Sequence, residues 1–493
     1  MKINTPDFSL EVILDNSSSV PGFRQLSDAL RRAIIDGIVP LSSDLPSVRD
    51  FCAQLDISRS TVMRSIQDLA SQGYVVTAVG SGSKVASEMP GDFSQSTEFM
   101  GAAISPFDNR PLLSAYAERL LLLPEGMSSK TTTKWDLSGP PVELTPVKQW
   151  RAIYREHCRA SDLLQFDYKP EPTGQLVLRQ AYASYLTRAR AVNCTPDQVV
   201  VFFARELRLD LPLKLLLRPG DYVAVENPCY ANMRNRFLAH GAKVIPIPVD
   251  HQGMDVKYLM AQPHNFKFVY VAPSHNEPTG AVLSMARRRL LLDWAKLNGA
   301  FIIEDDYDSE YRYQSRPIPS LQGLDDGDCV LHLSCLWKIL SPVVKLGFIV
   351  VPNRLKNLIT DAKTIVERDL PLIDQLALTD FINQRHLDRL IRRNRKIYES
   401  RRKALVDALV QYFGAQVITS TESAGMDMLI RLESNLSDSE VEAVASEAGL
   451  RLASAASYYF GENKQGHFII PFSLYEETSM REAVATFAGM LKG

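Results

Sequence analysis

The chain has 493 residues, 45% hydrophobic and 23% charged, enough to bury more than one core, so two or three domains are expected. A formal net charge of -2 excludes a chain-wide pull towards nucleic acid, so any DNA contact must come from a local patch. Six cysteines without a CxxC pair argue against zinc and a disulfide framework; no apolar run reaches the roughly 18 residues that cross a membrane, the first residues lack a signal-peptide layout, and a reducing, cytoplasmic setting is expected.

From the N-terminus, residues 22–38 place Phe23, Leu26, Leu30, Ala33 and Ile34 at helical spacing, with Arg24, Arg31 and Arg32 on the other side. LPSVRDFCAQLDISRSTVMRSIQDLASQGYVV then reads as two short helices, capped by Ser47 and Ser58, with Leu45, Phe51, Leu55, Ile57, Val62, Ile66 and Leu69 as an apolar seam. The second opens with Ser58, Arg59, Ser60 and Thr61. Small hydroxyls and one guanidinium with nothing bulky in front suit a helix end that enters a major groove. Residues 74–77 and 84–86 form the two strands of a wing around Gly80, Ser81, Gly82 and Ser83, where glycines let the backbone approach a phosphate. This stretch resembles the winged helix-turn-helix of GntR regulators, whose DNA-contacting arginines match Arg49, Arg59 and Arg64. The competing reading is a three-helix protein-docking module.

Residues 88–134 turn rich in Pro, Gly, Ser and Thr apart from the helical patch LLSAYAERLLLL, and read as a linker with one anchoring helix. From Trp135, apolar runs alternate with helical patterns: WDLSGPP, QVVVFFA, YVAVENP, AKVIPIPV, FKFVYVAP, AFIIEDD and CVLHLSC. That layout predicts a mostly parallel sheet covered on both faces. Beyond 352 the arginine-rich helix HLDRLIRRNRKIYESRRKALVDAL, read as a solvated or dimer-facing face, leads into a smaller α/β unit.

Two stretches carry chemistry. In VLHLSCLWKILSPVVKLGFIV, residues 330–350, one lysine, Lys338, sits among apolar residues, which should lower its pKa and leave an amine able to form a Schiff base. In FIIEDDYDSEYRY, residues 301–313, a buried parallel strand delivers carboxylates to its C-terminal end, where open α/β sheets build their sites. Asp305 there would face a pyridinium nitrogen and Tyr307 would point the same way.

DDYDSEYRY followed by K-x-L-x-P-x-x-K-L-G-F resembles the aminotransferase-like part of the MocR-type branch of the GntR regulators, and ENPCY (226–230), PSHNEPTG (273–280) and LLRPGDYVAVE (216–226) resemble further blocks in the same order. The resemblance implies a multidomain chain: a winged helix-turn-helix over 1–87, a linker over 88–134, a large fold-type I aminotransferase-like domain over 135–352, and a small α/β domain over 353–493. It also implies pyridoxal 5'-phosphate on Lys338. Asp305 would then meet the ring nitrogen, Tyr307 the ring phenolate oxygen and Tyr230 the ring face; Asn276 and His275 lie in the loop that holds pocket residues.

Three positions depart from the family pattern. The phosphate-cradling turn T-S-G-x-Q-Q is replaced by Phe202, Phe203, Ala204, Arg205, Glu206 and Leu207; Lys345 stands where the family has an arginine; and Ile469-Ile470-Pro471-Phe472 replaces the R-L-G-F whose arginine grips a substrate carboxylate. A bulky, acidic turn and a lost clamp argue against turnover. The expected function is a transcriptional regulator whose body senses a small-molecule effector and whose paired heads, in a homodimer, read promoter half-sites on double-stranded DNA. The alternatives are a regulator with a cofactor-free pocket and an aminotransferase with a vestigial head.

Overall fold

The computed structural model describes residues 2–15, 17–78, 82–88, 113–123, 139–159, 171–313, 318–419, 424–461 and 464–492. The chain separates into two compact units, Met1–Arg110 and Pro111–Gly493. The split falls inside the stretch expected as a linker, most of which lies outside the described residues.

In the first unit, helices α1 (Gly22–Ile35), α2 (Val48–Leu55) and α3 (Arg59–Ser71) pack around Leu26, Leu30, Phe51, Leu55, Val62 and Leu69, all buried. Ser47 and Ser58 cap as expected: their hydroxyls accept from the Asp50 and Thr61 amides at 3.2 and 3.1 Å. Strands β3 (Val75–Ala78) and β4 (Gly82–Val85) pair antiparallel as a wing, Val75 opposite Val85 and Ala78 opposite Gly82; Gly80 and Ser81 lie outside the described residues. An unexpected hairpin precedes them. Strands β1 (Lys2–Asn4) and β2 (Ser9–Glu11) pair antiparallel, and Ile3, Phe8, Leu10 and Val12 join the same core. The alternation Phe8, Leu10, Val12 was a readable strand signal.

The second unit is built on an eight-stranded sheet, β5 (Val199–Phe202), β6 (Tyr222–Asn227), β7 (Lys243–Asp250), β8 (Gly253–Met254), β9 (Phe266–Val271), β10 (Phe301–Asp306), β11 (Val330–Cys335) and β12 (Gly347–Val350), in the order β5-β12-β11-β10-β9-β6-β7-β8. Strands β6, β7, β9, β10 and β11 run parallel to their partners, whereas β12 is antiparallel to both neighbours and β8 to β7. Every residue of β10 and β11 is buried, so the carboxylates that end β10 emerge from a dry sheet. No strand forms at WDLSGPP among the described residues: 139–141 are irregular and 135–138 lie outside them. The helix Ala115–Leu121 docks on this unit, Arg119 Nε donating to the Ala239 carbonyl at 2.8 Å.

After 352 a second, antiparallel sheet, β13 (Val417–Thr419), β14 (Met428–Leu432), β15 (Ala453–Ser454) and β16 (His467–Ile470), packs with the helices His386–Phe413 and Glu477–Lys492. Its apolar residues join Tyr182, Val201 and Phe348 in one continuous core, so the smaller unit is tied to the larger. Gly347 is required where β12 passes the turn after β5: a Cβ there would lie 2.7 Å from Arg205 Cα. Gly347→Ala should therefore lower stability by about 1–3 kcal/mol, read as an earlier urea midpoint for the full chain.

Candidate functional site

Lys338 is 7% exposed, on the short helix Trp337–Leu340 that follows β11. Its surroundings differ from those expected. Lys338 Nζ lies 3.6 Å from Asp427 Oδ2 and 6.0 Å from the centre of the Tyr307 ring. Burial alone would depress the amine, but Asp427, Glu277 and Asp308 outweigh it and hold its pKa above the ordinary lysine value. The expectation of a lowered pKa is thus corrected: the sequence neighbours of Lys338 are apolar, whereas its spatial neighbours include the carboxylates that raise it.

Around it, Tyr307 Oη lies 3.0 Å from His275 Nδ1, and Asp308 Oδ2 lies 3.1 Å from the same nitrogen. Burial opposes the charge of His275, but Asp308 raises its pKa. Tyr458 donates to Glu277 Oε1 at 3.0 Å, and the Tyr230 ring stands 6.3 Å from that of Tyr458. Asn276 is buried and engaged by protein: its amide donates to Glu226 Oε2 at 3.0 Å and to the Pro228 carbonyl at 3.2 Å, and its oxygen accepts from Thr279 Oγ1 at 2.7 Å. Lys345 is exposed, beside Phe203 and Asp374 at a cavity of about 140 Å³. Ile469 is buried in β16 between Leu429 and Ala453.

Asp305 faces protein. Its Oδ2 accepts from Tyr270 Oη at 2.7 Å, its Oδ1 lies 3.5 Å from Arg208 Nη2, and Arg208 Nη1 donates to the Ser334 carbonyl at 2.7 Å. Burial pushes the Asp305 pKa up, against the pull of Arg208 and Tyr270. At the turn after β5, the Phe203 amide donates to both oxygens of Glu367 at 3.2 Å and the Ala204 amide to Oε1 at 3.4 Å. Glu206 is paired with Arg205 at 2.7 Å, and the Arg205 guanidinium lies 4.4 Å from the centre of the Trp337 ring. Asp305 and the amides of the turn after β5, which would meet the ring nitrogen and phosphate of pyridoxal 5'-phosphate, are engaged by other protein groups, and these contacts do not fit that group in the family's pose.

Arg208, Tyr270, Glu277, Glu367 and Asp427 were missed in the sequence. Arg208 directly follows the replaced turn 202–207, and Glu277 lies inside PSHNEPTG, so both were open to notice; Asp427 carries no local signal.

In the head, Arg49, Ser58, Arg59, Ser60, Arg64 and Gly82 are exposed and Thr61 is half-buried. The Ser58 hydroxyl also lies 2.8 and 2.9 Å from those of Ser60 and Thr61, gathering three hydroxyls at the start of α3 beside Arg59. Arg64 reaches over the Phe23 ring at 5.8 Å. Gly82 has φ +86°, a conformation natural to glycine, with open space beside it.

These arrangements define a helix-turn-helix head on an aminotransferase-like body, and comparison agrees. Residues 23–85 match the gntR family of bacterial regulatory proteins and residues 145–484 match aminotransferase class I and II. The chain is 30% identical over 475 residues to a probable rhizopine catabolism regulatory protein, MocR, of Rhizobium meliloti, covering 96% of this chain and 94% of that one. It is 27% identical to the HTH-type pyridoxine biosynthesis transcriptional regulator PdxR of Corynebacterium glutamicum, over 95% of each. The body shares its fold with LysN, an α-aminoadipate aminotransferase of Thermus thermophilus, at TM-score 0.68 and 21% identity, covering 77% of this chain and 97% of that one. The chain belongs to the MocR-type transcriptional regulators: DNA-binding proteins of the GntR family with an aminotransferase-like domain.

The buried carboxyls make stability pH-dependent. Burial pushes Glu226, Glu277 and Glu310 each from 4.5 up to about 7. Because the folded chain holds these protons more tightly than the unfolded chain, their contribution is greatest below 4.5 and is lost as pH rises through about 7. The raised His275 and His332 act in the same direction. Urea unfolding of the full chain should therefore show stability falling as pH rises from 4.5 to about 7, and Glu226→Gln should flatten that slope.

Proposed function

We propose that the body of this regulator is a non-catalytic sensor, which takes a small-molecule effector at the Lys338 pocket and sets how the heads of a homodimer engage paired promoter half-sites in the cytoplasm. The observation that carries this is the pairing of Lys338 with Asp427: the amine that a transaminase must keep free is held as a charged partner. Ile469, in place of a carboxylate-gripping arginine, supports the absence of turnover.

The fold class, whose members typically use pyridoxal 5'-phosphate, favours that cofactor on Lys338, and Lys338 and Tyr307 do stand together. The engagement of Asp305 by Arg208 and Tyr270 favours the second reading, a pocket that works without it.

The pocket is well placed to report an effector. Its walls come from the loop after β10, with Tyr307 and Asp308, and from the segment before β14, with Asp427. The two are laced together: the Gly425 amide donates to the Tyr311 carbonyl at 2.8 Å, and Tyr313 Oη donates to the Gly425 carbonyl at 2.5 Å. Gly425 has φ +77°, and a Cβ there would lie 2.1 Å from His275 Cε1. A ligand between Lys338 and Asp427 must bear on both walls, so its binding energy can favour one setting of the smaller sheet, a coupling of the usual allosteric size of about 1–3 kcal/mol.

On the DNA side, the exposed Arg59 at the start of α3 is assigned to the duplex. Arg59→Ala should weaken binding to a promoter fragment and shallow its salt dependence by about one ion, as measured by fluorescence anisotropy at several salt concentrations. Unchanged binding would remove α3 from the interface.

A further inference from the structure

We infer that this body has filled its own cofactor site: the Arg208 guanidinium takes the contact with Asp305 that the ring nitrogen of pyridoxal 5'-phosphate would make, and the carboxylates of Glu206 and Glu367 occupy the turn where its phosphate would sit. The inference deepens the proposed sensing role but rests on the body's geometry alone, independently of the head.

An aspartate that holds a pyridinium must present an oxygen to it. Both oxygens of Asp305 are engaged, by Tyr270 at 2.7 Å and Arg208 at 3.5 Å, and both Asp305 and Arg208 are 5% exposed. Arg208 is further fixed by its bond to the Ser334 carbonyl at 2.7 Å, and turning it away would leave the buried Asp305 with Tyr270 but no cation. It supplies a permanent positive charge against Asp305, which is what a protonated ring would have supplied.

The phosphate end is closed in the same way. Successive backbone amides in a turn attract anions. Here the anion is the protein's own: Glu367 takes the Phe203 and Ala204 amides and is held by Lys363 Nζ at 3.0 Å, and Glu206 is held by Arg205 at 2.7 Å. A dianion would meet two carboxylates whose cations, Lys363 and Arg205, are already paired, with the exposed Lys345 beside Phe203 as the remaining cation nearby. The residue before the lysine, Trp337, is covered by the Arg205 guanidinium. Lys338 itself faces Asp427 at 3.6 Å, which competes with an aldehyde for its amine.

Three independent contacts at three ends of the site thus do the same thing, each replacing a cofactor contact by a protein ion pair or hydrogen bond. The groups left around Lys338 are Asp427, Glu277 and the rings of Tyr307 and Tyr458, and a ligand held by them would be held non-covalently.

The test uses the full chain, as purified and after incubation with excess pyridoxal 5'-phosphate, reduced with borohydride and digested for peptide mass analysis, with promoter binding measured on the same samples. The peptide containing Lys338 is expected to carry no adduct in either sample, while the exposed Lys214 reacts and shows that the reagent was active. An adduct on Lys338 would overturn the inference. Loss of promoter binding in untreated protein would instead count against the DNA-binding role and leave the peptide result to decide this one.

Discussion

The structure depends on neutralising four acids at the end of one strand. Within five residues β10 and its loop carry Glu304, Asp305, Asp306 and Asp308, all buried. An uncompensated carboxylate in such a place costs several kcal/mol. Each has a cation at hand. His332 Nδ1 meets Glu304 at 2.9 Å, Arg208 meets Asp305, Arg190 holds Asp306 at 2.8 and 3.1 Å, and His275 meets Asp308. These partners come from β11, from two helices and from the loop after β9, so satisfying the strand end pins the surrounding elements in place.

The same requirement accounts for the persistence of an aminotransferase-like framework in a regulator. In a cofactor enzyme of this fold one of these acids is answered by the cofactor ring. Here Arg208, a cation of the chain itself, stands 3.5 Å from Asp305. Lys338 is an ion-pair partner of Asp427, bridging the larger and smaller sheets. A site of that kind can still respond to a ligand, because the pair joins two walls that a bound molecule can draw together or hold apart.

Much of this was legible locally. The buried run Phe301 to Ile303, the acids after it, the helix caps Ser47 and Ser58 and the wing all follow from short-range patterns. The hairpin at Ile3 and Leu10 was also readable from its alternation. What lay out of reach were pairings between distant positions. Arg208 and Asp305 are 97 residues apart, and nothing near Lys338 in sequence announces Asp427. The expected pKa of Lys338 came out with the wrong sign for that reason: burial is visible in a sequence, whereas the compensating charge arrives through the fold. The antiparallel insertion of β12 between β5 and β11 is likewise a long-range choice that no local periodicity encodes.

The central claim, that Arg208 is the built-in counter-ion of Asp305, is tested most directly by a double-mutant cycle on the full chain, with Arg208→Ala, Asp305→Asn and the double variant compared by urea unfolding at neutral pH. The account predicts that Arg208→Ala alone costs about 3–5 kcal/mol by stranding a buried carboxylate, and that adding Asp305→Asn recovers most of it. If the two losses simply add, or if Arg208→Ala costs no more than removing an exposed arginine, the two residues are not paired and the account fails.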